Sequence, residues 1–313
     1  MSQKRVALLF SGQGAQTVGM GRDMAAAFPV AARLFKQADE VLGYELSRIA
    51  WEGPETELTQ TRHCQPALYV HGLACLAALR SVAGDFDVHA CAGLSLGEFT
   101  AHAAAGTFSF EAGLRLVAER GRFMQEACEA SAGGMAAMIG GEEAAVVQLA
   151  ADCGVDVANY NSTGQIVLSG EVAKIEQAVG LAKERGIRMA KALNVAGAYH
   201  SRLMQPAGEK LGAALAKVVM QQPSCMVVCN VEADAVSAPD RIRETLQRQV
   251  TGSVRWTQSM ERLVDSEKCT LFLELGPGGV LAGLLSRTRK GVPCISVADV
   301  SSIQAAAAAI AGE

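Results

Sequence analysis

The sequence predicts a three-layer α/β fold with a mainly parallel sheet, into which a smaller α+β domain is inserted. Two observations carry this prediction. Apolar runs of strand length, beginning with "RVALLF", alternate with helix-length segments along most of the chain. In the middle the order becomes strand, helix, strand, strand, helix, strand, which is typical of a ferredoxin-like unit. The predicted domains are a large one over 1–131 and 196–313 and a small one over 132–195.

The first elements of the large domain follow from apolar runs and the turns that bound them. "RVALLF" predicts a strand buried on both faces, and the glycine turn "SGQGAQ" follows it. A helical stretch comes next and is interrupted at Pro29, because proline removes an amide donor from a helix. A helix, a strand and two helices are then predicted over "TRHCQPALYVHGLACLAALRSV", "DVHACAGL", "GEFTAHAAAG" and "FEAGLRLVAERGRFMQEACEA".

The elements of the inserted domain and of the end of the chain are predicted from the same kinds of pattern. The six predicted elements of the small domain are "GGMAAMIG", "EEAAVVQLAADC", "VDVANYN", "QIVLSG", "EVAKIEQAVGLAKERG" and "IRMAKALN". After it the large domain resumes with strands at "SCMVVCNV" and "TLFLELG". The alanine-rich segment "SSIQAAAAAIAGE" predicts a last helix.

Composition excludes several classes of function. Half of the 313 residues are apolar, which is enough for a sizeable core. The formal net charge is -4 and only 5% of the residues are aromatic. Nucleic-acid binding usually needs a basic face or a stacking platform, so we expect no nucleic-acid partner.

Neither a membrane segment nor a metal site is predicted. The most apolar long stretch, "PALYVHGLACLAALRSVAG", contains a histidine and predicts a buried helix. The N-terminus predicts a first strand and not a signal peptide. The nine cysteines form no C-x-x-C pair and have no partners at zinc spacing. We therefore expect buried thiols in a reducing cytoplasm and no bound metal.

The segment "GLSLGE" is the strongest chemical signal. Gly93, Ser95 and Gly97 form the G-x-S-x-G pattern of a nucleophile elbow, between a predicted strand and a predicted helix. In that sharp turn a side chain at either glycine would collide with the opposite backbone. The pattern predicts that Ser95 is a nucleophile.

A serine nucleophile needs a base, and the chain has only five histidines. His63 lies near a helix start, and His71 falls within an apolar helix. His89 points away along the strand, and His102 lies two helical turns beyond the serine. His200 follows a small-residue turn next to the inserted domain and is the preferred base. The alternative is that it is a turn histidine that bonds a backbone carbonyl.

The turn "FSGQGAQTVGMG" does not fit a nucleotide site. It lacks the last glycine of G-x-G-x-x-G, and it has no Walker lysine. We expect it to present backbone N–H groups that could bind an oxyanion. A purely structural turn is the alternative.

Arg120 lies among apolar residues on a predicted helix. An inward-facing arginine needs an anion, and its planar fork binds a carboxylate through two hydrogen bonds. Arg120 is therefore a candidate for binding a substrate carboxylate, the alternative being a surface salt bridge with Glu119 or Glu126. Glu274 is not favoured as a third catalytic residue. Gln249 is first interpreted as a packing or capping residue.

Seven segments together resemble the malonyl-CoA:acyl-carrier-protein transacylase family of fatty-acid synthesis and the related acyltransferase domains of polyketide synthases. The resemblance extends from about residue 5 to 297. In order, the segments are "FSGQGAQTVGMG", "QPAL", "GLSLGE", "ERGRFMQ", "VANYNSTGQIVLSG", "GAYHS" and "LELGPGGVL". This family has an α/β-hydrolase-like large domain and a ferredoxin-like small one, and the resemblance implies that fold here.

The resemblance also implies an activity and the residues of its reaction centre. Malonyl would pass from malonyl-CoA to Ser95 and then to the phosphopantetheine thiol of an acyl carrier protein, with no bound cofactor. His200 would act as base and then as acid. The backbone N–H groups of Gln13 and Leu96 would form the oxyanion hole. The backbone carbonyl of Gln249 would orient the histidine.

Three further residues match the substrate site of the family. Arg120 would bind the malonyl carboxylate, Gln65 would line the channel, and Asn161 would face the cleft from the small domain. Two residues depart from the pattern. Leu94 stands where many members have histidine. Tyr199 stands where malonyl-selective members often have phenylalanine, and its bulk favours malonyl over methylmalonyl.

Several readings remain open. The same residues would serve a polyketide acyltransferase acting in trans or a malonate-decarboxylase subunit. A serine esterase or patatin-like lipase, or a carrier-binding module without catalysis, are alternatives from other classes. A monomeric enzyme is expected. The basic segment that contains Lys183, Arg185, Arg188 and Lys191 would receive the carrier protein or CoA phosphates, or would be a solvated face.

Overall fold

The computed structural model describes residues 4–312. Two sheets organise this part of the chain. In chain order the strands are β1 (Val6–Phe10), β2 (Val88–Gly93), β3 (Gly133–Ile139), β4 (Asp156–Ser162), β5 (Gln165–Glu171), β6 (Met189–Ala192), β7 (Met226–Val228), β8 (Ala235–Val236), β9 (Leu271–Leu275) and β10 (Cys294–Val297).

Helices pack against both sheets. In chain order they are α1 (Arg22–Ala27), α2 (Pro29–Leu42), α3 (Leu46–Glu52), α4 (Glu55–Leu58), α5 (Thr61–Ala83), α6 (Leu96–Ala104), α7 (Phe110–Glu129), α8 (Glu143–Cys153), α9 (Val172–Leu181), α10 (Gln205–Leu215), α11 (Pro239–Gln249), α12 (Trp256–Glu261), α13 (Val280–Thr288) and α14 (Val300–Ala311). A 3-10 turn at Arg202–Met204 precedes α10, and a π-helical turn at Arg262–Ser266 follows α12.

The larger sheet has the strand order β10–β9–β1–β2–β7–β8. Its strands pair in parallel except for β8, which pairs antiparallel with β7 at one edge. All five residues of β1 are buried, as expected for a central strand covered by helices on both faces. The prediction of a mainly parallel sheet is confirmed.

The smaller sheet is antiparallel, with the order β4–β5–β3–β6. This order follows from two interleaved strand–helix–strand units and is that of a ferredoxin-like fold. Helices α8 and α9 enclose a separate apolar core against one face. The predicted fold class is thus confirmed. The boundary at 132–195 stays a prediction, with β3 and β6 lying just inside it.

The helix α5 lies largely inside the large domain. It is long and apolar enough to cross a membrane, but 72% of its most apolar window is buried inside the protein. It packs against α7, α2 and α14. The predicted break at Pro29 is also present, because α1 ends at Ala27 and α2 begins at the proline.

Candidate active site

The loop that joins β2 to α6 has the geometry of a nucleophile elbow. Ser95 has φ 55° and ψ -105°, a strained conformation for a residue with a Cβ. A Cβ on Gly93 would lie 1.9 Å from the carbonyl carbon of Gly97. A Cβ on Gly97 would lie 2.1 Å from the carbonyl oxygen of Phe10. Both glycines are therefore required by close backbone contacts, as the sequence predicts.

This contact predicts the effect of adding one methyl group. Gly97→Ala is expected to lower the free energy of unfolding by about 3 kcal/mol, because two backbone segments must separate. Gly283→Ala is the matched control: Gly283 is a helical glycine with open space around its Cβ position. There the change should raise stability by about 0.5–1 kcal/mol. Urea denaturation measures both variants, and equal stabilities would contradict the close packing of the elbow.

A hydrogen-bonded chain leads from the serine to a backbone carbonyl. Ser95 Oγ lies 2.7 Å from His200 Nε2, and His200 Nδ1 lies 2.8 Å from the carbonyl oxygen of Gln249. Because that carbonyl can only accept, Nδ1 carries the proton and Nε2 is free to accept one. Burial, with Arg120 adding to it, lowers the pKa of His200 to about 4. The imidazole is therefore neutral at neutral pH and able to act as a base.

The other four histidines lie away from the serine. His63 Nδ1 is 3.1 Å from the carbonyl oxygen of Glu57, and His102 Nδ1 is 3.0 Å from Thr107 Oγ1. His71 is buried beside a cysteine thiol. His89, at the start of β2, lies 3.5 Å from the carboxylate of Glu267. Selection of His200 by elimination thus agrees with the geometry.

Arg120 is buried, with only 1% of its surface exposed. Its Nη1 donates to Gln65 Oε1 at 2.7 Å. Its Nη2 donates to Gln249 Oε1 at 2.8 Å and to Ser95 Oγ at 3.0 Å. Burial lowers the pKa of Arg120 to about 10, so the guanidinium remains charged at neutral pH. A charged guanidinium bonded to neutral oxygens beside the nucleophile is suited to bind an anionic group.

The alternative of a surface salt bridge is excluded. Glu126 bonds Arg122 and Lys210, which lie on the outer surface. Arg120 instead faces inward from α7, with its carbon Cζ 5.4 Å from the centre of the Phe99 ring. Its Nε has no hydrogen-bond partner within residues 4–312.

Two residues of the site were missed by the sequence analysis. Asn230, just after β7, accepts from the backbone N–H of Ser95 at 2.8 Å and donates to the carbonyl oxygen of Gly93 at 2.8 Å. Glu98, on the first turn of α6, accepts from the backbone N–H of Asn230 at 3.0 Å. Only the sheet topology could have indicated these two residues. Because β2 and β7 are parallel neighbours, polar residues at their carboxyl ends meet.

The proposed oxyanion donors lie on both sides of the elbow. Leu96 is the first residue of α6, where a backbone N–H has no intrahelical acceptor. The turn that carries Gln13 packs against the elbow, since a Cβ on Gly12 would lie 2.4 Å from the carbonyl oxygen of Leu94. Gln13 and Ser95 also line the same cavity. The role of both N–H groups stays a prediction.

That cavity has a volume of about 440 Å³ and lies between the two domains. Asn161, Gln65, Leu94 and Tyr199 all line it, together with Ser95 and His200. Asn161 Oδ1 is buried and has no partner within the described part of the chain. The Tyr199 hydroxyl lies 2.6 Å from Thr61 Oγ1, which fixes the ring at the wall.

Two residues of the basic segment of the small domain, Arg185 and Lys191, have different surroundings. Arg185 forms a salt bridge of 2.7 Å with Asp152. Lys191 pairs with Ala137 across β6 and β3, and is exposed. Side chains alternate along β3, so Lys191 shares a sheet face with Met135, which lines the cavity. Of Arg185 and Lys191, only Lys191 is thus shown to lie on the face of the small sheet that lines the cavity.

Glu274 has a structural position away from the histidine. Its carboxylate accepts from the backbone N–H groups of Leu281 and Ala282, each at 2.9 Å, and from Ser296 Oγ at 3.1 Å. It thereby binds the N-terminus of α13. The geometry agrees with the prediction that Glu274 is not a third catalytic residue.

Comparison with known proteins gives consistent matches. The family described as an acyl transferase domain matches residues 7–310. The chain is 40% identical over 309 residues to the malonyl CoA-acyl carrier protein transacylase of Bacillus subtilis, covering 96% of each. It is 37% identical over 304 residues to the Escherichia coli protein of the same name, covering 96% of this chain and 98% of that one. A polyketide-biosynthesis transacylase of Bacillus subtilis is 39% identical over 292 residues, with 91% and 97% covered.

Solved structures agree with these relatives. The acyl-carrier-protein-S-malonyltransferase of Bartonella henselae has a TM-score of 0.94 and 37% identity, covering 98% of this chain and 99% of that one. A malonyl-transacylase solved in complex with its type II polyketide acyl-carrier protein has a TM-score of 0.93 and 35% identity, covering 99% and 100%.

Proposed function

This chain belongs to the acyl transferase domain family, and on that premise we propose that it transfers malonyl from malonyl-CoA to the phosphopantetheine thiol of an acyl carrier protein. The relatives that align with 96% of this chain carry this activity in their names. The neighbour solved with a carrier protein supports the same class of acceptor. The observation that carries the proposal is the buried guanidinium of Arg120, whose Nη2 lies 3.0 Å from Ser95 Oγ.

The first half-reaction forms an ester on Ser95. His200 Nε2 takes the hydroxyl proton while Ser95 Oγ attacks the thioester carbonyl of malonyl-CoA. The backbone N–H groups of Gln13 and Leu96 hold the oxyanion of the tetrahedral intermediate. As the intermediate collapses, the carbon–sulfur bond breaks and His200 gives its proton to the leaving CoA sulfur. Malonyl remains bound to Ser95 as an oxygen ester.

The second half-reaction repeats these steps in reverse. His200 takes the proton of the carrier's phosphopantetheine thiol, and the sulfur attacks the ester carbonyl. The bond to Ser95 Oγ breaks, and His200 returns the proton to that oxygen. The carbonyl of Gln249 keeps Nε2 directed at the serine in both halves and stabilises the protonated imidazole. A carboxylate in the third position is therefore not required.

Arg120 supplies selectivity for an acyl group with a free carboxylate. Its Nη groups donate to side-chain amides in the free enzyme, and a malonyl carboxylate could replace those amides as a stronger acceptor. Gln65 and Asn161 would position the same acyl group from two sides of the cavity. The fixed ring of Tyr199 limits space for an α-methyl branch, a discrimination worth about 1–3 kcal/mol.

The remaining expectations concern the setting of the reaction. The proposed steps use only side chains, backbone groups and two thioesters, and they assign no role to a bound cofactor or metal. We propose a cytoplasmic monomer that meets a carrier protein and neither nucleic acid nor a membrane. The net charge of -4 supports the expectation of no nucleic-acid partner, and the burial of α5 supports the expectation of no membrane.

A two-step labelling experiment tests the proposed function. The protein is mixed briefly with malonyl-CoA, its intact mass is measured, and the adduct is mapped by peptide fragmentation. We expect one malonyl group on Ser95, which disappears when holo-carrier protein is added and appears on the carrier. Apo-carrier protein, which lacks the thiol, is the matched control and should leave the adduct in place. Steady release of CoA without an adduct would instead favour a hydrolase.

The relative from polyketide biosynthesis supports a second setting for the same reaction. A polyketide acyltransferase acting in trans would use identical catalytic residues, and so would a malonate-decarboxylase subunit. Transfer rates to a fatty-acid carrier protein and to a polyketide carrier protein, measured in parallel, would separate these settings.

A further inference from the structure

Glu98 is a buried carboxyl group to which the proposed reaction assigns no role. Its side chain is fully buried on the first turn of α6, directly behind the nucleophile elbow. One oxygen, Oε2, accepts from Gln249 Nε2 at 2.7 Å and from the backbone N–H of Asn230 at 3.0 Å. The other oxygen, Oε1, has no partner within residues 4–312. A buried carboxylate is costly unless a positive charge compensates for it.

The compensating charge is that of Arg120, and the side-chain amide of Gln249 connects it to Glu98. Arg120 Nη2 donates to Gln249 Oε1 at 2.8 Å, and the Nε2 of the same amide donates to Glu98. The amide dipole is therefore aligned from cation to anion. Arg120 makes no direct hydrogen bond to a carboxylate among the described residues. Among the described residues, Glu98 is the carboxyl group whose charge raises the pKa of Arg120, and the Tyr199 phenol has a smaller effect in the same direction.

We propose that Glu98 is a specificity-determining residue: its protonation leaves Arg120 without a counter-ion and thereby favours malonyl over uncharged acyl groups. This inference rests on the proposed function, in which Arg120 binds the malonyl carboxylate. With Glu98 ionised the pair is neutral, and a bound malonyl group adds an excess negative charge. With Glu98 protonated the site carries one positive charge, which the malonyl carboxylate neutralises.

The sign of the pH dependence follows from burial. Burial raises the pKa of Glu98 to about 7, against the opposing effect of its two hydrogen bonds and of Arg120. Below this pH the carboxyl is neutral and malonyl is favoured. Above it the carboxylate opposes the malonyl charge, so the preference for malonyl over acetyl falls as pH rises.

The titratable groups that lie near Glu98 in the described part of the chain keep their charge over the same range. Arg120 stays protonated, because its pKa is about 10. Cys229, after β7, stays neutral, because burial raises the pKa of its thiol to about 11. On the acid side, His200 and the next-turn residue His102 are already neutral, with pKa values lowered to about 4 and about 3.

A competition experiment tests the proposal. Wild type and Glu98→Gln are each mixed with equal malonyl-CoA and acetyl-CoA from pH 6 to 9, and the two Ser95 adducts are quantified at early times by intact mass. The ratio of malonyl to acetyl adduct is independent of the titration of His200, because both CoA esters need the same base and release the same thiol. The side-chain oxygen of glutamine can still accept from the Asn230 backbone N–H and from Gln249 Nε2. Like the protonated acid, the glutamine side chain carries no charge.

We expect the wild-type ratio of malonyl to acetyl adduct to fall about tenfold for each pH unit above the pKa of Glu98 until it levels off. The ratio for Glu98→Gln should stay at the low-pH level throughout. A flat wild-type ratio would overturn the proposal even if the variant did not fold. A parallel fall in both proteins would overturn it too. Failure of malonyl-CoA to label wild type at any pH would instead refute the proposed function.

Discussion

Replacing His200 with alanine is expected to slow malonylation of Ser95 by about 10³–10⁴-fold. Without the imidazole, the Ser95 hydroxyl loses the acceptor that lies 2.7 Å away. No second titratable side chain accepts its proton within the described part of the chain. Arg120, the other group bonded to Ser95 Oγ, can only donate. Single-turnover labelling followed by intact-mass measurement gives the rate.

His89→Gln is the matched control, because His89 lies on the strand that leads to the serine but at its opposite end. Its Nε2 lies 3.5 Å from Oε2 of Glu267, which is not part of the active site. Its labelling rate should stay within about twofold of wild type. If His200→Ala labelled as fast as this control, His200 would be a turn histidine and another base would have to be sought.

Replacing Arg120 with glutamine is expected to lower the rate of malonylation by about 10²–10³-fold. The malonyl carboxylate would then be buried without a cation, and an unpaired buried charge costs about 3–5 kcal/mol. Acetylation has no such charge to lose and should change much less. The preference between the two acyl groups should therefore reverse, as measured by rates of labelling with each CoA ester.

Arg122→Gln is the matched control on the same helix. Its guanidinium is exposed and forms a surface pair with Glu126, so removing it should change neither rate appreciably. Equal losses with malonyl-CoA and acetyl-CoA in Arg120→Gln would show that Arg120 holds Ser95 in place and does not select the acyl group.

Much of this protein could be predicted from local patterns. Continuous apolar runs predict the central strands, because a parallel strand covered on both faces has no polar side. The change of element order predicts the ferredoxin-like unit. The elbow was predicted in detail, since Gly93 and Gly97 are required by contacts only a few residues away in sequence or on the adjacent strand. Short edge strands such as β8 and β10 were not predicted, because a run of two to four residues is too short to show a recognisable period.

The residue types of the site can be recognised in the chain alone: one serine in an elbow, one histidine after a small-residue turn, and one arginine among apolar neighbours. Which of these residues meet depends on how the distant segments pack together. It brings Gln249 from α11 to both His200 and Arg120, although these three residues lie far apart in the chain. It also places Glu98 and Asn230 behind the serine, a contact that depends on the pairing of β2 with β7. Such contacts join residues from 49 to 132 positions apart, and no local periodicity records a distance of that kind.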